Sequence, residues 1–88
     1  MTGSGTVSAV ARVSRAREQF QQLTGLDAES VSGLVRTGDG WEIRVDVVEL
    51  RRIPDSASVL ATYRLTTDAD GEVLGYERIR RFNRGETD

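Results

Sequence analysis

The segment WEIRVDVVELRRIPDSASVLATYRL (residues 41–65) decides the fold, because two strand patterns lie on either side of the chain's only proline. Its first seven residues alternate between apolar and polar side chains, which is typical of an antiparallel strand with one face in the core and one in water. The alternation slips at Val47-Val48, which indicates a β-bulge or the end of the strand. Another strand is predicted over residues 58–67. Pro54 is expected to end the first strand or mark an exposed edge, because proline donates no backbone hydrogen bond.

Upstream of this segment, residues 7–24 show the three- and four-residue apolar spacing of an amphipathic helix. Thr6 or Ser8 is expected to cap its start, and Gly25 stands just beyond its end. The apolar stripe of this helix consists of Val10, Val13, Ala16, Phe20 and Leu23. Because an isolated helix of this length is marginally stable in water, the stripe is expected to pack on the sheet.

Two more strands complete the pattern. Residues 29–37 form a short β-branched run that ends at the Gly-Asp-Gly turn of residues 38–40. The sequence DADGE at residues 68–72 predicts a hairpin turn with Asp70-Gly71 at its tip. The last strand is predicted over residues 72–83.

Consecutive strands joined by short turns favour an antiparallel meander. The predicted fold class is therefore α+β, with one N-terminal amphipathic helix packed on a four-stranded antiparallel β-meander in two layers. Residues 6–85 are predicted to form a single domain, and residues 1–5 and 86–88 are predicted to be disordered.

The composition excludes several kinds of chemistry. The 88 residues carry a net charge of −2, contain no histidine and no cysteine, and use arginine at every basic position. The commonest general base, thiol nucleophiles, zinc–thiolate sites and Schiff-base lysines are therefore excluded. No apolar run approaches the roughly 20 residues of a membrane span. The N-terminus also lacks a signal-peptide pattern, so a cytoplasmic location is expected.

Two acidic motifs have a structural explanation that is favoured over a functional one. The DADGE turn has its glycine at loop position 4, as counted from Asp68, whereas an EF-hand calcium loop needs glycine at position 6. Glu42, Asp46 and Glu49 are predicted to lie on the solvated face of their strand, with Arg44 as a partner. The sequence therefore predicts no catalytic, cofactor-binding or metal-binding residue, no cofactor and no enzymatic activity.

Clustered arginines indicate a contact surface. The segment RIRRFNR (residues 78–84) holds four arginines and one aromatic residue, a combination that nucleic-acid surfaces also use. Since the whole chain is acidic and phosphate binding needs many neutralised phosphates, a protein partner is favoured over nucleic acid. At the corner after the first strand, two interpretations stay open. Arg51 and Arg52 are simply solvated, or Arg52 and Pro54 belong to a recognition surface.

Several short motifs follow one another in a fixed order along the chain. They are Gly40-Trp41, Val48-Glu49-Leu50, Arg52-Ile53-Pro54, Leu60-Ala61 with Tyr63, Asp70-Gly71, and Tyr76, Arg78, Arg81, Phe82, Arg84 and Gly85. This ordered set, which covers nearly all of residues 16–85, resembles the gas vesicle protein O (GvpO) family. Phe82 stands where the family has tyrosine, and Asp46 stands where glutamate is usual.

The resemblance implies a non-catalytic accessory role in gas vesicle assembly or maintenance, in a cytoplasmic and gas-vesicle-associated protein. It implies other gas vesicle proteins, shell or accessory, as partners, and it leaves a homo-oligomer open. The acidic charge and the lack of a long apolar run predict neither a nucleic-acid nor a membrane partner. Two alternatives remain. One is a small PepSY-like binding or inhibitory module, and the other is a nucleic-acid-binding regulator.

The predicted partner interface consists of Arg52, Pro54, Tyr76, Arg78, Arg80 and Arg81. Strand alternation predicts that Tyr76, Arg78 and Arg80 share one face of the sheet, on the side away from the helix. The predicted core contact joins Val13, Phe20 and Leu23 to Trp41, Ile43 and Val45.

Overall fold

One helix precedes four strands in the computed structural model, which describes residues 4–85. The elements are α1 Ser4–Thr24, β1 Ala28–Arg36, β2 Gly40–Leu50, β3 Val59–Asp68 and β4 Val73–Asn83, with a short 3-10 helix at Asp55–Ala57. The predicted α+β class is confirmed. The helix already includes Ser4, so Thr6 and Ser8 lie inside it, and the prediction that one of them caps its start is wrong. Disorder is predicted for residues 1–5 and 86–88; residues 1–3 and 86–88 lie outside the described residues, whereas Ser4 and Gly5 belong to the helix.

The four strands pair in chain order, and every pairing is antiparallel, as the short connections predict. The slip in alternation that the sequence shows at Val47-Val48 corresponds to a register shift between Val48 and Leu50 against β3. The predicted β-bulge is therefore confirmed. It changes the side of the sheet to which the end of β2 points.

Helix α1 covers one face of the sheet, called here the helix side, and the opposite face is the outer side. The buried core contains Ala16 and Phe20 from the helix and Ala28, Ile43, Val45, Val47, Ala61 and Leu65 from the sheet. Val13 and Trp41 are partly buried against this core. The predicted packing of Val13 and Phe20 on the helix side of β2 is thus confirmed.

Two members of the predicted apolar stripe are exposed instead, Val10 to 62% and Leu23 to 59%. The helix meets the β3–β4 turn at Arg12, since a Cβ atom added to Gly71 would come within 2.9 Å of the Arg12 Cβ atom. Val10 therefore lies at the rim of the sheet. Leu23 lines a shallow depression with Val73 beside the start of β4. The prediction that Leu23 packs on β2 is wrong, because the stripe extends beyond the area of sheet that lies under the helix.

Specific hydrogen bonds fix the helix on the sheet. At its end, the Gly25 amide donates to the Gln21 carbonyl oxygen at 2.7 Å, and Gly25 adopts a φ of 77°, the left-handed conformation that ends many helices. Arg17 donates to the carbonyl oxygen of Ala28 at 2.7 Å. On the other flank, the Val73 amide donates to Gln19 Oε1 at 2.8 Å. These contacts leave much of the helix side of β4 uncovered.

The β3–β4 hairpin confirms the turn that the DADGE sequence predicts. The Asp68 carboxylate accepts hydrogen bonds from the backbone amides of Asp70 and Glu72, both at 2.9 Å. The bond from Glu72 contributes most to lowering the pKa of Asp68 below its usual value. This carboxylate therefore caps the turn.

Candidate partner-binding surface

The predicted interface residues of β4 do not share one face. Tyr76 lies opposite Leu65 and Arg78 lies opposite Tyr63, and partners across an antiparallel pair point to the same side. The rings of Tyr63 and Tyr76 both pack on Phe20, with centroid distances of 5.2 and 5.7 Å, so this is the helix side.

Arg80 points to the outer side, because the pairing shifts between Thr62 and Tyr63 and leaves Ile79 as an extra residue in β4. Arg80 lies opposite Thr62, whose hydroxyl donates to outer-side Asp46 at 2.6 Å. The guanidinium of Arg80 lies 4.6 Å from the centre of the Phe82 ring. The prediction that Tyr76, Arg78 and Arg80 share the face away from the helix is therefore wrong.

Arg81 returns to the helix side, opposite the buried Ala61. Between Arg81 and Arg78 lies the carboxylate of Glu49. Arg78 NH1 donates to Glu49 Oε2 at 3.1 Å, Arg81 Nε lies 3.3 Å from Glu49 Oε1, and the Tyr63 hydroxyl donates to Glu49 Oε2 at 3.3 Å. These four residues, Glu49, Tyr63, Arg78 and Arg81, are called here the Glu49 cluster.

The burial within the Glu49 cluster is uneven. The Glu49 side chain is only 14% exposed, whereas the Arg78 and Arg81 side chains are 48% and 57% exposed. The carboxylate therefore lies beneath two guanidinium groups that reach the surface. The prediction that Glu49 belongs to a solvated strand face with Glu42 and Asp46 is wrong, because residue 49 follows Val45 and Val47 in steps of two and therefore lies on the helix side, opposite to Glu42 and Asp46.

Aromatic rings extend this surface along β4 towards the helix. Tyr76 lies next to Tyr63, with ring centroids 6.4 Å apart, and it remains 46% exposed. Burial raises the pKa of the Tyr63 hydroxyl, and the neighbouring Glu49 charge raises it further. Tyr63 therefore stays protonated at neutral pH and continues to donate to Glu49.

The remaining predicted residues, Arg52 and Pro54, lie at the corner between β2 and β3. Both are exposed, and the Arg52 amide donates to the Ser58 hydroxyl at 3.0 Å. The corner is tied to the end of β4 by Arg84, whose NH2 donates to Glu29 at 2.8 Å. Its buried Nε lies 2.8 Å from Asp55 Oδ2 as an ion pair without hydrogen-bond alignment.

Sequence reasoning missed Glu49 as the centre of the surface, and it missed Ile53, which is fully exposed at the corner. The available signal for Glu49 was its spacing, because it stands two residues after Val47 and so falls on the same side of the strand as Val45 and Val47. For Ile53, the signal was an isoleucine between an arginine and a turn proline, where polar residues are usual.

Within residues 4–85, no group of three or more histidine, cysteine, aspartate or glutamate side chains is arranged to hold a metal ion. The one described helix is not apolar enough over its length to cross a membrane. The depressions found on the described part of the chain are open and shallow. What the described residues present is an arginine- and tyrosine-rich face.

Fold and surface together define a small two-layer α+β domain whose last strand carries arginine and tyrosine side chains on the helix side, where the helix leaves them uncovered. The chain matches the family model described as gas vesicle synthesis protein GvpO over residues 2–88. It therefore belongs to the GvpO family, as the resemblance of its motifs predicts.

Curated relatives agree with this assignment. The chain is 53% identical over 70 residues to Gas vesicle protein O of a Streptomyces species, a match that covers 80% of this chain and 55% of the relative. It is 37% identical over 73 residues to Gas vesicle protein O of Haloferax mediterranei, with 82% and 52% covered. Gas vesicle protein O1 of Halobacterium salinarum is 36% identical over 72 residues, with 82% and 60% covered.

The chain thus matches only 52–60% of the length of these relatives. Among solved protein structures, no significant match to the chain was found.

Proposed function

We propose that this protein is a non-catalytic accessory component of gas vesicle assembly or maintenance, located in the cytoplasm and associated with gas vesicles, and that it acts through contacts with other gas vesicle proteins. Family membership supports a role in gas vesicle assembly, because the matching family model is described as a gas vesicle synthesis protein. The observation that carries the contact mechanism is the Glu49 cluster, in which a nearly buried carboxylate holds two exposed guanidinium groups beside a tyrosine.

This arrangement has the properties of a protein-contact surface. Arginine and tyrosine are enriched at interfaces, and the arginine fork suits partner carboxylates. Because Glu49 already orients Arg78 and Arg81 at 3.1 and 3.3 Å, less side-chain freedom is lost when a partner binds. The proposed surface therefore consists of Tyr76, Arg78 and Arg81 around Glu49, and Arg80 lies outside it on the outer side.

The charge of the surface favours a protein over nucleic acid. The charges of Arg78, Arg81 and Glu49 sum to about +1 in a chain whose net charge is −2. Affinity for nucleic acid rises with the number of phosphates that the protein neutralises. A surface with one net positive charge therefore gives only weak binding to nucleic acid. The proposed partner is instead a gas vesicle shell or accessory protein with carboxylates at its contact site.

Replacing both arginines of the Glu49 cluster by glutamine is expected to weaken capture of the partner by about tenfold or more. Glutamine is chosen because at position 81 its amide nitrogen takes the place of the arginine Nε, and the Tyr63 hydroxyl still donates to Glu49, so the carboxylate is not left without donors. The measurement is pull-down of gas vesicle proteins by the Arg78→Gln/Arg81→Gln variant, together with vesicle yield in cells that depend on this copy.

The matched control is the Arg44→Gln/Arg64→Gln variant, which removes two partly exposed arginines from the outer side. This control is expected to retain binding and to melt close to the parent protein, because its arginines are partly exposed. The Arg78→Gln/Arg81→Gln variant is expected to melt lower, since Glu49 is largely buried, but to stay folded. Normal pull-down and normal vesicle yield with a folded Arg78→Gln/Arg81→Gln variant would rule out the Glu49 cluster as the working surface.

A non-catalytic role also predicts that the protein binds no metal ion or nucleotide tightly. Its sequence has no histidine or cysteine, and it has no lysine for a phosphate loop. Isothermal titration with calcium, zinc and ATP is expected to give no saturable heat above that of titrant dilution. A saturable site with micromolar affinity for any of the three would contradict the proposed role.

A further inference from the structure

Ile53 stands apart from the other apolar side chains of the described residues. It is 100% exposed, and the next most exposed large apolar side chain, Leu74, reaches 66%. Single exposed apolar residues are common on protein surfaces and carry no meaning by themselves. What distinguishes Ile53 is the rigidity of the corner on which it stands, residues 51–58.

Hydrogen bonds inside the corner close around Ser58, which is fully buried. The Ser58 hydroxyl accepts from the Arg52 amide at 3.0 Å and donates to Asp55 Oδ1 at 3.2 Å. Its amide donates to the Asp55 carbonyl oxygen at 2.8 Å. One buried serine therefore binds both Arg52, which precedes Ile53, and Asp55, which follows it by two residues.

The end of β4 holds the corner from outside. The amides of Arg84 and Gly85 donate to the carbonyl oxygens of Ser58 and Ser56, both at 2.8 Å. The Arg84 side chain lies between Asp55 and Glu29, 2.8 Å from each carboxylate. Residues from β1, from the corner itself and from the end of β4 thus fix the base of the corner, while the Ile53 side chain at its apex is exposed to water.

The charges around Ile53 are not balanced. The Asp55 carboxylate lies 3.6 Å from Arg51 NH1 on one oxygen and 2.8 Å from Arg84 Nε on the other. Within residues 4–85, Arg52 has no carboxylate within ion-pair distance, so a positive charge flanks the exposed isoleucine. This combination fits an apolar pocket with a rim of carboxylates.

We infer that Ile53 is an anchor residue that inserts into an acidic-rimmed apolar pocket of the partner protein, with Arg52 pairing with the rim. The inference rests on the proposed function for the identity of the partner and adds a second contact site to the Glu49 cluster. Because the corner is already fixed, it loses little conformational freedom on binding, and more of the free energy from burying Ile53 appears as affinity. Burying an isoleucine side chain corresponds to roughly 10- to 100-fold in affinity.

The first test measures binding of gas vesicle proteins to the Ile53→Ser and Arg52→Gln variants. Ile53→Ser is expected to lower the affinity by about 10- to 100-fold. Arg52→Gln is expected to lower the affinity by a smaller factor, and its binding should no longer weaken as the salt concentration rises. Ile53→Leu is expected to retain most of the binding. The matched control, Leu74→Ser, removes an exposed apolar side chain from the start of β4 and is expected to bind like the parent.

Folding does not confound this test. Ile53 is fully exposed, so Ile53→Ser is expected to leave the melting temperature unchanged. A folded Ile53→Ser variant with parental affinity would overturn the inference.

Site-specific photo-crosslinking in cells that make gas vesicles separates this inference from the proposed function. A photoreactive residue is placed at position 53 in one variant and at position 76 in another. Crosslinks to a gas vesicle protein from position 53 support the anchor. Crosslinks from position 76 alone overturn the anchor and leave the proposed function in place, whereas no crosslink to a gas vesicle protein from either position overturns both.

Discussion

Phe20→Ala is expected to lower the free energy of unfolding by about 3–5 kcal/mol, the usual cost of removing a fully buried phenylalanine. Phe20 is 0% exposed and packs on the rings of Tyr63 and Tyr76. Alanine would leave a cavity at the contact that joins the helix to β3 and β4. In a domain of 88 residues such a loss is a large share of the total stability. Urea denaturation followed by circular dichroism measures it.

Leu23→Ala provides the matched control, because the same helix carries Leu23 with 59% of its surface exposed. This substitution is expected to change the free energy of unfolding by less than about 0.5 kcal/mol. Equal destabilisation by both substitutions would contradict the placement of the helix, and an unchanged transition in Phe20→Ala would contradict the packing of the helix on the sheet.

The apolar pattern predicted the elements of this fold and their order, since the helix, the four strands and the meander all follow from period and turn residues. It did not predict the limits of the contact between layers. Val10, Phe20 and Leu23 have the same spacing signal, but only Phe20 is buried. Which part of a helical stripe is covered depends on where the helix crosses the sheet, and Arg17 and Gln19 fix that crossing through long-range hydrogen bonds.

Assignment of side chains to faces failed at the β-bulges. In β4, counting in steps of two from Tyr76 gives Arg78 and Arg80 on one side, but the extra residue Ile79 sends Arg80 to the other. In β2, the bulge between Val48 and Leu50 likewise reverses the side of Leu50, which pairs with Val59. A bulge in β2 leaves a trace in the sequence, because it interrupts a clean alternation. No comparable trace marks the bulge in β4, where charged residues lie on both sides.

The corner shows a different limit. Pro54 and Asp55 predict a turn from their own backbone preferences, but the contacts that fix this turn come from Ser58, Glu29 and Arg84. Glu29 and Arg84 are separated by most of the chain. No local pattern indicates that they meet, because their contact is produced by the pairing of all four strands.

Gly40→Ala is expected to destabilise the protein by about 3 kcal/mol or more, at the upper end of the range for overpacking. Gly40 opens β2 opposite Asp68 of β3. A Cβ atom at this position would lie 1.9 Å from the Thr67 carbonyl oxygen and 2.7 Å from the Asp68 carbonyl carbon. Both are backbone atoms, so no side chain can rotate away, and the first pairs between β2 and β3 must separate.

The control for this effect is Gly38→Ala, two residues earlier in the same turn, where an added Cβ atom meets nothing within 4 Å. Gly38→Ala is expected to change the free energy of unfolding by about 0.5 kcal/mol or less. Both substitutions add the same methyl group, so a difference in stability reports the space around each glycine. The difference should also appear locally, because the Thr37 amide donates to the Gly40 carbonyl oxygen at 2.9 Å. Hydrogen exchange at Thr37 and in the first residues of β2 should accelerate in Gly40→Ala and stay parental in Gly38→Ala. Equal melting temperatures for the two variants would contradict the close approach of β2 and β3, which explains why a glycine precedes Trp41.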